Sequence, residues 1–135
     1  MVIGEGFGKK LLIQVVFWLH LPIVVLWFGL FLVPQSIWAG VVSFHFWYIV
    51  TILLVQLLWG LTFYSTIKRV DIICPVTTLM QWMRGYSRRS EKNYGHSFIA
   101  EFCNMFGFRV HYGGVNVALL ITLGLIVVRY FFWSW

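Results

Sequence analysis

The chain has 135 residues, of which 61% are hydrophobic, 20% are aromatic and only 10% are charged. Soluble globular domains carry roughly 25% charged residues, and so small a domain has too little interior to hide this many apolar side chains. The composition excludes a disordered chain, a secreted disulfide scaffold and an ordinary cytosolic enzyme. It predicts a single all-α integral membrane domain over residues 1–135.

Three stretches are long and apolar enough to cross a bilayer, which takes about 20 apolar residues. The first covers about residues 11–33 and holds no formal charge. The second covers residues 44–67, and the third covers about residues 113–135 with one charge, Arg129, near its end. We predict three transmembrane helices. The first is expected to be an uncleaved anchor, because its apolar run is far longer than that of a signal peptide.

The basic residues predict the orientation of the chain, since cytoplasmic flanks carry an excess of Lys and Arg. Lys9 and Lys10 precede the first span, residues 34–43 hold no basic residue, and seven more lie between the second and third spans. The N-terminus is therefore expected in the cytoplasm and the C-terminus on the opposite side. This placement accounts for the net charge of +6, so no nucleic-acid partner is expected.

Two short amphipathic helices are predicted between the second and third spans, within about residues 74–108. Pro75 suits the first turn of a helix, and apolar residues recur at helical spacing over residues 76–83. After a polar, basic loop at residues 85–95, a second apolar face covers residues 98–106. Both helices are too short to span. We expect them to lie at the cytoplasmic interface or to fold back against the bundle.

This segment carries a motif made of Ile73, Cys74, Pro75, Val76, Thr77, Leu79, Trp82, Arg84, Tyr94, Phe98 and Ile99, which goes together with Leu19-His20-Leu21 in the first span. The motif resembles that of a family of small bacterial membrane proteins of unknown function. The chain departs from the family at Met80, where the family usually has Glu, and at Val76, where it usually has Leu. The resemblance implies a three-span fold in a bacterial inner membrane, and the orientation predicted from the basic residues then puts the C-terminus in the periplasm. It implies no established activity.

Two histidines are candidate cofactor ligands. His20 lies about ten residues into the first span, where ionisable groups are rare, and a neutral imidazole there can ligate haem iron or hydrogen-bond a quinone. The alternative is a structural histidine bonded to Gln56 or to a carbonyl freed by Pro22. His45 lies among aromatic residues at the outer mouth of the second span. It is either a second cofactor ligand or a residue of the interfacial aromatic belt.

The remaining candidates are contacts rather than catalytic groups. Lipid or partner contacts are predicted at Arg84, Arg88, Arg89, Lys92, Trp133 and Trp135, the alternative for the four basic residues being a solvated loop. Cys74 and Cys103 are expected to be reduced thiols on the cytoplasmic side. Cys74 is either packed at a bend before Pro75 or a site of reversible palmitoylation.

Function is predicted mainly from what the chain lacks. It contains no nucleotide-binding, hydrolase or metalloprotease motif, so no catalytic residue and no metal site are predicted. The 27 Phe, Trp and Tyr residues favour an accessory subunit of a larger bacterial membrane complex, contacting other subunits that carry pigments or cofactors. The alternatives are a haem- or quinone-binding electron-transfer protein that uses His20, and a lipid-modulating protein that uses the basic loop.

Overall fold

The computed structural model describes residues 4–95 and 97–133 of the chain. The helices are α1 (Gly4–Gly29), α2 (Val41–Leu61), α3 (Tyr64–Ile67), α4 (Pro75–Met83), α5 (Phe98–Met105) and α6 (Tyr112–Trp133), with 3₁₀ turns at Leu30–Leu32 and Glu91–Asn93. No strand occurs in the residues described, so the predicted all-α fold is confirmed.

Three of the helices are long and apolar enough to cross a membrane. Their apolar stretches are Gly6–Leu32, Val41–Leu61 and Tyr112–Trp133. Each exceeds the length of about 20 residues that a bilayer requires. The chain therefore has the length and composition of a three-span membrane protein.

The three long helices pack tightly at one end of the bundle. Val42, Ile49 and Ile126, which come from α2 and α6, are almost completely buried there, and we call the region around them the closed end. Trp27 joins α1 to this cluster, and its indole nitrogen donates a hydrogen bond of 2.9 Å to Thr122 Oγ1 on α6. Apolar contact together with a paired indole N–H fixes the three helices against one another at this end.

The two short helices α4 and α5, with the loop between them, form the α4–α5 segment (residues 75–105). Met80 and Phe98 of this segment pack against Val16 and Phe17 of α1. These contacts fall in the middle of α1, so the segment folds back along the bundle instead of extending away from it. Its position relative to a membrane interface stays a prediction.

The chain between α3 and α4 returns along α2 and thereby sets the position of Cys74. Ile73 donates its backbone N–H to the carbonyl of Gln56 at 3.3 Å. Four residues along α2, Gly60 lies against the backbone of Asp71 with no space for a side chain between them. The return therefore runs in direct backbone contact with α2 and brings Cys74 into contact with α1.

Candidate functional site

A cavity of about 490 Å³ lies between α1, α2 and α6 and is bounded on one side by the α4–α5 segment. Small-molecule sites in proteins have volumes of roughly 300–1,000 Å³ and mostly apolar walls with a few polar groups. The walls here are mostly Ile, Val, Leu, Phe and Trp side chains. The cavity therefore has the size and character of a site for a lipophilic molecule.

The lining of the cavity changes from polar to apolar along all three spanning helices. The polar residues are His20 on α1, Gln56 on α2 and Asn116 on α6. The residues one or two turns nearer the closed end are apolar, namely Trp27, Ile52 and Leu123, with Thr51 as the exception. The cavity thus has a polar end at the α4–α5 segment and an apolar end toward the closed end.

The polar end carries no free charge. Among the described lining residues there is no Lys or Arg, and Asp71 is the single carboxylate. Asp71 is already engaged, since it accepts a hydrogen bond of 3.0 Å from Arg69 and another of 2.9 Å from the backbone N–H of Ile72. A phosphate or carboxylate head group would find no counter-ion in such a lining, so the cavity suits an uncharged head.

His20 stands at the polar end and connects α1 to the α4–α5 segment. Its side chain is 4% exposed, and its Nε2 atom lies 3.1 Å from Cys74 Sγ and 3.4 Å from Thr77 Oγ1. The imidazole stacks on the ring of Phe98 with centroids 4.7 Å apart and planes within 10°. The Nδ1 atom has no hydrogen-bond partner within the described part of the chain. A thiol and a hydroxyl thus both lie within reach of the same imidazole nitrogen.

Three residues of the sequence motif, Cys74, Thr77 and Phe98, therefore meet at His20, whereas Pro75, Tyr94 and Trp82 have different surroundings. Pro75 is the first residue of α4 and lines the cavity. Tyr94 also lines the cavity, and its hydroxyl donates to the carbonyl of Arg89 at 3.3 Å. Trp82 is 70% exposed on the outer side of α4. Part of the motif thus contacts α1, whereas the indole of Trp82 is exposed.

His45, the second candidate ligand, lies apart from the cavity. Its side chain is fully buried, and its Nε2 atom donates a hydrogen bond of 2.8 Å to the carbonyl of Trp27. The ring meets Phe31 edge to face at 4.5 Å. The structure does not bring His45 and His20 together. Within residues 4–95 and 97–133, no group of three or more His, Cys, Asp and Glu side chains could hold a metal ion.

Two of the four basic contact candidates are engaged within the protein. Arg84, directly after α4, forms a two-pronged ion pair with Glu101 on α5, with hydrogen bonds of 2.6 and 3.1 Å. Arg88 donates to the carbonyl of Thr62 at 2.6 Å and lies 4.5 Å from the ring centroid of Phe63. Both arginines hold the α4–α5 segment in place, one internally and one against the end of α2.

The other contact candidates are exposed or lie outside the described residues. The side chains of Arg89 and Lys92 are exposed and make no hydrogen bond or ion pair with the described part of the chain. Trp133 is exposed at the end of α6. Trp135 lies outside the described residues.

Sequence reasoning missed the cavity itself. It proposed Gln56 as a partner of His20, but it placed neither Gln56 nor Asn116 at a shared site. Both are uncharged polar residues within apolar spans, which makes them candidate site residues. The sequence does not show which way their side chains face. Their common position follows from the packing of three helices, which residue spacing within one helix does not reveal.

No family model, curated protein or solved structure matches the chain. The resemblance to a family of small bacterial membrane proteins is therefore supported only by the motif residues. The chemistry that the cavity can host depends on the geometry of its own residues.

Proposed function

We propose that this protein binds an uncharged amphipathic membrane molecule, a quinone, in the cavity at His20. The supporting observation is the polarity gradient of the lining. Quinone carbonyls accept hydrogen bonds, and His20, Gln56 and Asn116 line the polar end with groups that can donate them. The apolar tail of the quinone then extends toward Trp27 and Leu123. A neutral head group also agrees with a lining that offers no cation.

Haem, the other cofactor expected through His20, fits this cavity less well. Its two propionate carboxylates need hydrogen-bonded or cationic partners when they leave water. No Lys or Arg occurs among the described lining residues. In addition, Nε2 of His20 already faces Cys74 and Thr77. The balance of these contacts favours a quinone.

The proposed setting is a bacterial inner membrane with the N-terminus in the cytoplasm and the C-terminus in the periplasm. The distribution of basic residues supports it, because Lys9, Lys10 and the loop at residues 85–95 would share the cytoplasmic side. The polar end of the cavity would then face the cytoplasmic leaflet. A reporter fused to the C-terminus that is active only in the periplasm tests this orientation.

Quinone binding can be measured by titrating the detergent-solubilised protein with a short-tailed benzoquinone and following tryptophan fluorescence, which quinones quench. We expect saturable quenching by the wild type. Gln56→Leu and Asn116→Leu should each weaken binding by about tenfold, the equivalent of one lost hydrogen bond in an apolar site. Gln14→Leu is the matched control, because Gln14 is an exposed polar residue of α1 that does not line the cavity.

Two results would overturn the proposal. One is unchanged quinone affinity in both Gln56→Leu and Asn116→Leu. The other is displacement of the quinone by an anionic phospholipid at equal concentration. The cavity would then bind lipids in general and would not select an uncharged head group. A preparation with a haem absorption band that is lost in His20→Ala would favour haem instead.

A second candidate function is that of an accessory subunit, and Trp18 is the observation that favours it. Trp18 lies one residue from the midpoint of the apolar stretch Gly6–Leu32 and is 44% exposed. Its ring contacts Phe17 and Phe102, but its indole N–H donates no hydrogen bond within the described chain. Unpaired donors are unfavourable in hydrocarbon, and a helix of another subunit would supply the acceptor.

Purification of the tagged protein in mild detergent tests this second candidate. We expect a partner subunit at a fixed ratio to the wild type and a reduced ratio with Trp18→Phe, which removes only the N–H and part of the ring. Trp82→Phe is the control, since Trp82 is exposed on α4. Wild-type protein that purifies alone would contradict a role as a subunit.

A further inference from the structure

Cys74 and His20 form a thiol–imidazole pair at the edge of an apolar cavity. Cys74 Sγ lies 3.1 Å from His20 Nε2, Cys74 is a free and partly buried thiol, and both residues line the cavity. A thiol becomes a strong nucleophile when an adjacent base removes its proton, and hydrogen-bond reach between the two is the structural requirement. The pair therefore has the geometry of an activated nucleophile that faces a lipophilic space.

We propose that Cys74 accepts a long-chain acyl group from an acyl thioester, an acyl-coenzyme A, with His20 as the general base. The inference needs the cavity and the thiol–imidazole contact but no bound quinone. It therefore goes beyond quinone binding and does not depend on it. The polar end of the cavity, where the Cys74 sulfur lies, would face the cytoplasmic leaflet in the proposed orientation, so an acyl-coenzyme A would approach Cys74 from the cytoplasmic side.

The reaction balances without any oxidant or reductant. His20 Nε2 takes the proton of the Cys74 thiol as Cys74 Sγ attacks the carbonyl carbon of the acyl thioester. A new carbon–sulfur bond forms to Cys74, and the carbon–sulfur bond to coenzyme A breaks. His20 then gives the proton to the departing coenzyme A thiolate. The products are an acylated Cys74 and free coenzyme A.

The cavity offers the acyl chain a place beside the reacting sulfur. From His20 to Phe28 the lining residues of α1 extend over about 12 Å at 1.5 Å per residue, and beyond His20 all of them are apolar. Each methylene group buried in the cavity strengthens binding of the acyl chain, so a long chain should react in preference to a short one. The chain would fill the space proposed for the quinone tail, so acylation should exclude the quinone.

Cys103 provides an internal comparison. It is the second free thiol of the chain, and its burial is also intermediate. It does not line the cavity, and among the described residues it has no contact with a histidine. Reactivity that depends on the His20 pair and the cavity should therefore appear at Cys74 and not at Cys103.

The experiment incubates purified full-length protein in detergent with palmitoyl-coenzyme A and follows the intact mass over time. We expect one acyl group per chain, released by hydroxylamine as a thioester is. Cys103→Ser should react as the wild type does, and Cys74→Ser should not react. His20→Gln should slow the reaction by about 10²-fold, the lower range of a general-base contribution. Acetyl-coenzyme A should react more slowly than palmitoyl-coenzyme A.

Peptide mapping of the acylated wild type decides the question even if a variant fails to fold. An acyl group on the Cys74 peptide and not on the Cys103 peptide supports the proposal. Equal acylation of both peptides, or none at Cys74, overturns it, and a wild-type rate in folded His20→Gln overturns the role of His20. Quinone binding is measured on the unacylated wild type, so failure of acylation and failure of quinone binding are separate results.

Discussion

The α-carbon of Gly60 lies directly against the backbone carbonyl oxygen of Asp71. A Cβ atom at Gly60 would overlap that oxygen, so only a glycine allows α2 and the returning chain to approach this closely. The hydrogen bond from Ile73 to the carbonyl of Gln56 continues the same contact. Cys74 follows immediately along the chain. Gly60 is therefore a positioning residue for the contact between Cys74 and His20.

We predict that Gly60→Ala destabilises the protein by about 2 kcal/mol, because the added methyl group must push the returning chain away from α2. The same displacement should move Cys74 away from His20 and slow its acylation. Thermal unfolding in detergent measures the first effect, and the acylation rate at a temperature where the variant is folded measures the second.

Gly124→Ala on α6 is the matched control for this substitution. Gly124 is also a helical glycine, but a Cβ atom there would have no heavy atom within 4 Å. Since Ala favours helix over Gly by about 1 kcal/mol, this variant should be as stable as the wild type or more stable. Equal effects of Gly60→Ala and Gly124→Ala would contradict the importance of the close approach.

The ion pair between Arg84 and Glu101 is predicted to stabilise the α4–α5 segment by about 1 kcal/mol. Both side chains are about one quarter exposed, at 26% and 24%, and the two-pronged geometry is the stronger form of this pair. A double-mutant cycle with Arg84→Ala and Glu101→Ala in thermal unfolding measures the coupling. Arg84→Lys should recover only part of it, because Lys lacks the planar fork.

The exposed pair between Arg69 and Asp71 serves as the comparison for this cycle. The Arg69 side chain is 63% exposed, so Arg69→Ala should change stability by less than about 0.5 kcal/mol. A coupling between Arg84 and Glu101 as small as this would show that the pair contributes no more to stability than an exposed ion pair does.

Features that depend on residues close together along the chain could be predicted from the sequence. Uninterrupted apolar runs predict the three long helices, and Pro75 followed by apolar residues at helical spacing predicts α4. The contact between His20 and Cys74 joins residues 54 positions apart, and no local pattern encodes it. Gly60 shows the same limit, since a glycine in an apolar helix gives no sign that another backbone lies against it.

His45 is predicted to stabilise the fold without taking part in ligand binding. Replacement by Phe removes the hydrogen bond to the carbonyl of Trp27 and should destabilise the protein by about 1–2 kcal/mol. The benzoquinone affinity and the acylation of Cys74 should remain as in the wild type, because His45 does not line the cavity. If His45→Phe were as stable as the wild type but no longer held a bound chromophore, His45 would be a cofactor ligand instead.

Arg129 is predicted to stabilise the junction of α1 and α6 rather than to be merely tolerated in an apolar helix. Its guanidinium donates to the carbonyls of Leu30 and Val33 at 3.5 and 3.3 Å, where the 3₁₀ turn that ends α1 leaves acceptors without helical partners. The two alternatives predict opposite signs for Arg129→Met. Loss of the two hydrogen bonds should lower the stability by about 1–3 kcal/mol, whereas removal of a merely tolerated charge from an apolar span would raise it. Thermal unfolding in detergent gives the sign, and faster amide hydrogen exchange at residues 30–33 in the variant would locate the loss at this junction.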